Sequence, residues 1–77
     1  EIKVMPNPVS ENQKLSIYIP GNSRSNRVRF MDISGKVITE KVLNGGLNEI
    51  NVGLPKGMYM LKIIGEETSY TTKLAVN

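Results

Sequence analysis

Apolar and polar residues alternate along most of the chain, with the two-residue period of β-strands that bury one face. The clearest case is 14–19, where Leu15, Ile17 and Ile19 share one side of a predicted strand. No window of the sequence has convincing helical periodicity. The pattern predicts seven short strands, at residues 2–5, 14–19, 27–32, 37–43, 47–52, 58–64 and 68–76.

The predicted strands differ in how clearly they define an inner face. The strongest signal is 58–64, where Tyr59, Leu61 and Ile63 lie on one side, and we expect this strand to lie centrally in a sheet. In the last segment the side shared by Leu74 and Val76 is expected to face the core. The fourth segment, 37–43, has apolar residues on both sides, so its inner face stays ambiguous.

Turn signals separate these strands. Pro6-Asn7-Pro8 predicts an extended elbow poor in hydrogen bonds, because proline has no amide donor and disfavours helix in the residue before it. The run from Asp32 to Gly35 fits a type I turn. Asn44-Gly45-Gly46 predicts a type I′ hairpin between its two flanking strands. A further turn is predicted at 65–67.

The stretch from Leu54 to Tyr59 is the turn on which the predicted sheet depends. Pro55 suits the second position of a tight turn, and Gly57 can close it in a conformation that a β-carbon would resist. Seven strands with turns at intervals of about 8–12 residues are typical of β-sandwiches. We therefore predict an all-β, seven-stranded antiparallel β-sandwich of immunoglobulin-like type. The chain has no Trp and no Cys, so membership of the immunoglobulin family itself is not supported.

The composition excludes most kinds of catalytic and metal chemistry. The 77 residues contain neither Cys nor His, which removes thiolate nucleophiles, disulfides, the usual general base and the commonest metal ligand. Serine nucleophiles would have no histidine to activate them. We expect no enzymatic activity, no catalytic residue, no metal and no cofactor.

The charge of the chain and the length of its apolar runs limit the kinds of partner that we expect it to bind. The net charge of +3 is scattered along the sequence, and only Arg24, Arg27 and Arg29 cluster. A nucleic-acid surface would need a denser basic stripe with exposed aromatic residues, so we expect no nucleic-acid binding. No apolar run approaches the roughly 20 residues of a membrane helix, so stable membrane insertion is not expected. The chain is predicted to be one domain, 1–77, and a start without Met suggests a fragment of a longer protein.

A set of short motifs in fixed order covers nearly the whole chain. They are Pro6-Asn7-Pro8-Val9-Ser10, Asp32-Ile33-Ser34-Gly35-Lys36-Val37, Asn48-Glu49-Ile50-Asn51-Val52, Leu54-Pro55-Lys56-Gly57-Met58-Tyr59 and Lys73-Leu74-Ala75-Val76-Asn77. Each is weak alone, but together the chain resembles the type A C-terminal sorting domain of the type IX secretion system of Gram-negative bacteria. It departs from the usual pattern of this family at Met5, Lys56 and Met60, and the residues at these positions are compatible with a β-sandwich.

The resemblance implies a role in protein delivery. Such domains direct an attached passenger through the periplasm and across the outer membrane, to the cell surface or the medium. The secretion machinery recognises the folded domain, and a sortase commonly removes it. The implied partners are translocon and sortase components. Two copies could also pair through edge strands.

The candidate partner-binding residues lie mainly at the end of the chain. A terminal strand is expected to leave a free edge and a carboxylate for a partner to engage, and Lys73 and Lys36 are outward candidates for an acidic partner surface. The full set is Lys73, Leu74, Ala75, Val76, Asn77 and Lys36. We expect deletion of 73–77 to stop export while most of the fold survives. The residues expected to act structurally are Pro6, Asn7, Pro8, Asp32, Gly35, Leu54, Pro55, Gly57 and Tyr59.

Two other functions fit the same fold class. One is a carbohydrate- or adhesin-type binding module of a secreted protein, which would need exposed aromatic residues. Only Tyr18 and Tyr70 are candidates for this role. The other is a spacer domain without any site, in which trimming the C-terminus would matter only through stability.

Overall fold

A computed structural model describes residues 1–66 and 68–77. Within them the chain forms seven strands and no helix, so no described segment is a helix able to cross a membrane. The strands are β1 (Lys3–Met5), β2 (Lys14–Ile19), β3 (Asn26–Met31), β4 (Val37–Leu43), β5 (Gly46–Asn51), β6 (Gly57–Ile64) and β7 (Ser69–Val76). The predicted number of strands is confirmed for this part of the chain, with bounds shifted by at most one residue. The predicted turn at 65–67 includes Glu67, which lies outside the described residues.

The strands form two antiparallel sheets. One has the order β1-β2-β5 and the other the order β4-β3-β6-β7. In the second sheet β6 is a central strand, as its sequence predicts, and it pairs along its whole length with β7. The all-β antiparallel class is thus confirmed. The immunoglobulin-like arrangement stays a prediction.

The hairpin predicted at Asn44-Gly45-Gly46 is wrong. Strands β4 and β5 are consecutive in sequence but belong to different sheets, so this segment crosses from one sheet to the other. Of its two glycines only Gly46 has a positive φ, 97°, whereas a type I′ turn needs two such residues. Gly45 answers a different need: its amide donates to the Ser23 carbonyl at 2.7 Å, and a β-carbon there would overlap the carbonyl of Gly21.

Both sheets contribute to one core. One cluster of buried side chains draws on β2 in the first sheet and on β3, β6 and β7 in the second, on the alternating faces that the sequence predicts for β2, β3 and β6. The most enclosed apolar residues, each at 0% or 1% exposure, are Val9, Leu15, Ile17, Ile19, Val28, Phe30, Leu61, Ile63 and Leu74. With neither disulfide nor metal ligands of the Cys or His type, this packing and the sheet hydrogen bonds hold the fold together.

The structure resolves the ambiguous face of β4. Thr39 and Lys41 pair with the buried residues Phe30 and Val28, so they and Leu43 lie on the inner side of the sheet. Val37, Ile38 and Val42 are exposed. Because β4 is an edge strand, its inner face is only half-covered, and a strict apolar alternation is not needed there.

Candidate functional site

The last residues of the chain form a regular strand whose side chains fall into two groups. Leu74 and Val76 are buried in the core, at 0% and 3% exposure. Lys73 and Asn77 are exposed, and Ala75 is half-buried on the outer side. The candidate partner-binding residues therefore do not form one surface, because two of them are part of the hydrophobic core.

The outer edge of β7 is covered by residues 7–11, named here the edge segment. The amide of Val9 donates to the Ala75 carbonyl at 2.9 Å, and the amide of Asn77 donates to the Val9 carbonyl at 2.8 Å. Glu11 then donates its amide to the Asn77 carbonyl at 3.0 Å. Val9 and Val76 face each other in a parallel bridge. The prediction of a free edge at 73–77 is wrong for this reason.

Asn7 extends this pairing with its side chain. Its Nδ2 donates to the Lys73 carbonyl at 2.7 Å, and its Oδ1 accepts the amide of Ala75 at 3.1 Å. An Asn amide thus takes the place of a backbone peptide beside β7. The peptide bonds before Pro6 and Pro8 are both cis. The elbow predicted at 6–8 is present, but it is not poor in hydrogen bonds, because the Asn side chain supplies them.

The burial of Leu74 and Val76 changes what a C-terminal deletion tests. Removing 73–77 would take two side chains from the core and leave the edge segment without its partner. Loss of export in that variant would follow from unfolding as readily as from loss of recognition. Point substitutions at the exposed positions are the sharper test.

The Asp32 turn matches its prediction in detail. The Gly35 amide donates to the Asp32 carbonyl at 3.0 Å, and Gly35 has a φ of 95°. One carboxylate oxygen, Oδ1, accepts three bonds: from the hydroxyl and the amide of Ser34, and from the amide of Lys36. The Ser34 hydroxyl and these amides lower the pKa of Asp32, because they stabilise the charged carboxylate. The side chain of Lys36 is exposed beside this turn, as predicted.

The segment from Leu54 to Tyr59 connects the two sheets in a way the sequence does not predict. No backbone hydrogen bond closes a four-residue turn over 54–57, a stretch that the structure describes completely. Instead the hydroxyl of Tyr59 donates to the Pro55 carbonyl at 2.6 Å. Leu54 and Tyr59 are both buried, at 8% exposure. Gly57 has a φ of 155°, and a β-carbon there would lie 3.6 Å from the Tyr59 ring. Its positive φ fits the predicted need for glycine, although the turn itself is held by a side chain.

These positions lie within the stretch of the chain that matches one protein family. The family model for the secretion system C-terminal sorting domain matches residues 3–77. The chain belongs to this family. None of the curated proteins compared with the chain matches it. The match confirms the resemblance to type IX sorting domains, and it covers both the edge segment and the strand that this segment pairs with.

Two residues important to this sorting domain escape sequence analysis. Asn26 is 1% exposed, and its Nδ2 donates to the Leu43 carbonyl at 3.2 Å and to the Ser23 hydroxyl at 3.0 Å. Asn48 donates from its Nδ2 to the Asn44 carbonyl at 2.9 Å, beside the crossing between the sheets. Both lie in polar stretches, where the sequence does not distinguish an asparagine that hydrogen-bonds the backbone from one that is solvated. Sequence spacing carries no signal that separates the two cases.

Two shallow depressions lie beside Pro20 in the described part of the sorting domain. One, of about 260 Å³, is lined by polar residues that include Ser23 and Asn26. The other, of about 370 Å³, includes Ile2 and Tyr70. Tyr18 lies on the outer side of the three-stranded sheet and does not join Tyr70. The two tyrosines therefore do not form a shared aromatic platform for a sugar.

The described residues hold no group of three or more acidic side chains placed to bind a metal ion. Membership of a sorting-domain family indicates a non-catalytic module. The expected absence of catalysis, cofactor and metal stays a prediction.

Proposed function

We propose that this domain is the address by which the type IX machinery recognises an attached passenger and moves it from the periplasm across the outer membrane. The observation that carries the proposal is the family match over 3–77. Family membership supports a C-terminal sorting signal and export to the surface or the medium. The route, the translocon contacts and removal by a sortase on export are the parts we propose.

The backbone pairing at the end of the chain supports a machinery that recognises the folded domain. The end of the chain is held between β6 and the edge segment, so its backbone is engaged on both sides. A partner that captured 73–77 as an added strand would first have to displace the edge segment. We therefore propose that the machinery recognises outward-facing side chains, the exposed Lys36, Lys73 and Asn77 and the half-buried Ala75, while Leu74 and Val76 hold the strand in place.

We also infer that the architecture is immunoglobulin-like, as the alternation predicts. The order β1-β2-β5 matches the order of the first, second and fifth strands in one immunoglobulin sheet, and β3, β6 and β7 are neighbours in the other. Here β4 joins the second sheet. The bond from the Tyr59 hydroxyl to the carbonyl four residues upstream, near the start of β6, resembles the tyrosine corner of such folds.

A secretion assay tests the proposed function. The chain is fused to the C-terminus of a reporter with a signal peptide and expressed in a type IX-competent strain and in a translocon-deficient one. We expect reporter outside the cell only in the competent strain. Retention in the periplasm of both strains would refute the proposal and return attention to the binding-module alternative, which glycan-binding screens would then examine.

A matched pair of variants separates recognition from folding. Lys36→Ala with Lys73→Ala changes exposed side chains and should keep the wild-type unfolding temperature, because isolated surface substitutions cost within about 0.5 kcal/mol. We expect export to fall nonetheless. The control, Lys3→Ala with Lys14→Ala, alters two exposed lysines of the other sheet and should be exported normally. Equal export of both variants would count against recognition through Lys36 and Lys73.

A further inference from the structure

The outer face of the four-stranded sheet is strongly basic, although the charges look scattered in the sequence. Since Val28, Phe30 and Leu61 point into the core, the residues that alternate with them point outward. The cross-strand register places Arg29 beside Lys62 and sets Met60 opposite Lys73. The charged residues on the outward side of these strands are Arg27, Arg29, Lys62, Lys73 and Glu40.

Four cations against one carboxylate give this face a net charge of +3, the same as the whole chain, so the remaining charges of the chain balance. Arg29 donates its Nε to Glu40 Oε2 at 2.6 Å, and no other ion pair joins side chains in the part of the chain that the structure describes. Arg27 and Lys73 are exposed, and Lys62 is half-buried. The face thus has a local excess of positive charge.

One end of the same face is apolar and rich in methionine. Met31 pairs with Met60 in the register, and Met58 pairs with Ala75 beside them. Met58 is 52% exposed, and Val37, opposite Met31, is 45% exposed. Methionine side chains are flexible and polarisable, and they are common on surfaces that adapt to a protein partner. We name the cations and this apolar end together the basic methionine face.

We propose that the basic methionine face docks an acidic protein surface that carries apolar side chains between its carboxylates. Charge complementarity favours an acidic partner, because opposite charges across an interface guide encounter and exclude wrong partners. The methionine end favours a protein over a purely polar polyanion, since only apolar groups gain by covering it. The inference rests on the proposed function, in that the partner would belong to the export machinery.

The export assay is the first test, with charge-reversed variants. Arg27→Glu, Lys62→Glu and Lys73→Glu together reverse the face, and Lys3→Glu, Lys14→Glu and Arg24→Glu together make the same change of net charge elsewhere. We expect the first variant to lose export and the second to keep it, with circular dichroism confirming that both fold. Wild-type export by the face variant would overturn this inference and leave the sorting function standing. If the face variant does not fold, Lys73→Glu alone makes the same comparison.

A binding measurement tests the face independently of secretion. The probes are a short peptide of glutamates interspersed with leucines, the same peptide with glutamines in place of glutamates, polyglutamate of equal length, and anionic phospholipid vesicles. We expect the first probe to bind best, to weaken with added salt, and to lose affinity by about tenfold or more in the face variant. Equal binding of polyglutamate, or binding of the vesicles alone, would overturn the proposal. If the wild-type domain is not exported but still binds the first probe, only the proposed sorting function is refuted.

Discussion

Replacement of Asn7 by alanine should loosen the end of the chain. The change removes two hydrogen bonds, from Nδ2 to the Lys73 carbonyl at 2.7 Å and from the Ala75 amide to Oδ1 at 3.1 Å. Each hydrogen bond contributes about 0.5–1.5 kcal/mol net. Because Asn7 is exposed, water replaces part of what is lost, and we expect a total cost of about 1–2 kcal/mol. That is a large share of the roughly 3–5 kcal/mol that a core of this size supplies.

The effect should appear in two measurements. For a domain of this length 1 kcal/mol corresponds to about 4–8 °C, so thermal unfolding followed by circular dichroism should shift down by about 5–15 °C. Hydrogen exchange should show faster exchange at the Ala75 amide, which the Asn7 side chain accepts in the wild type. The matched control is Asn51→Ala, an exposed asparagine on β5 without a side-chain hydrogen bond to another described residue. Unchanged unfolding of the Asn7 variant, with the Ala75 amide still protected, would refute the reasoning.

Four further substitutions test separate parts of the fold. Tyr59→Phe removes the bond to the Pro55 carbonyl and should cost about 1 kcal/mol in urea unfolding, and no cost would contradict the role of the hydroxyl. Gly57→Val should cost about 1 kcal/mol or more through its φ of 155°, visible as a lower unfolding temperature. Leu74→Ala should cost about 2–5 kcal/mol and largely unfold the chain by circular dichroism. The lowered pKa of Asp32 stabilises the fold above an aspartate's ordinary pKa of about 3.9, and this contribution is lost as pH falls through the lower folded value. Asp32→Asn should therefore flatten the acid end of the stability curve, and identical curves would argue against that.

Alternation predicts strands well because it is a local property of the sequence. The inner residues of β2, β3 and β6 can be named from it, since the side of a strand that faces the core must be apolar along its length. Alternation does not say which strand is the neighbour. The error at Asn44-Gly45-Gly46 shows the difference: Gly45 allows a close approach to the loop at Gly21, and no local signal separates that need from a hairpin turn.

The candidate site depends on contacts between distant parts of the chain. The motif at Pro6-Asn7-Pro8 is visible in the sequence, but the residues that Asn7 bonds lie 66–68 positions away. The neighbouring residues alone therefore predict only an elbow. The outward position of Lys73 is predictable from alternation, whereas the covered edge beside it is not. The basic methionine face is likewise not predictable from local sequence, because its residues come from separate strands and are brought together only by the strand register.

The parallel bridge between Val9 and Val76 determines how the domain would respond to pulling. The edge segment and the end of β7 run in the same direction, so a force applied between the two ends of the chain draws them past each other. Their hydrogen bonds are then strained together in shear, rather than opened one after another as in unzipping. Resistance to such a force is a matter of unfolding rate more than of equilibrium stability. A domain of modest stability can therefore resist a force that pulls on its two ends.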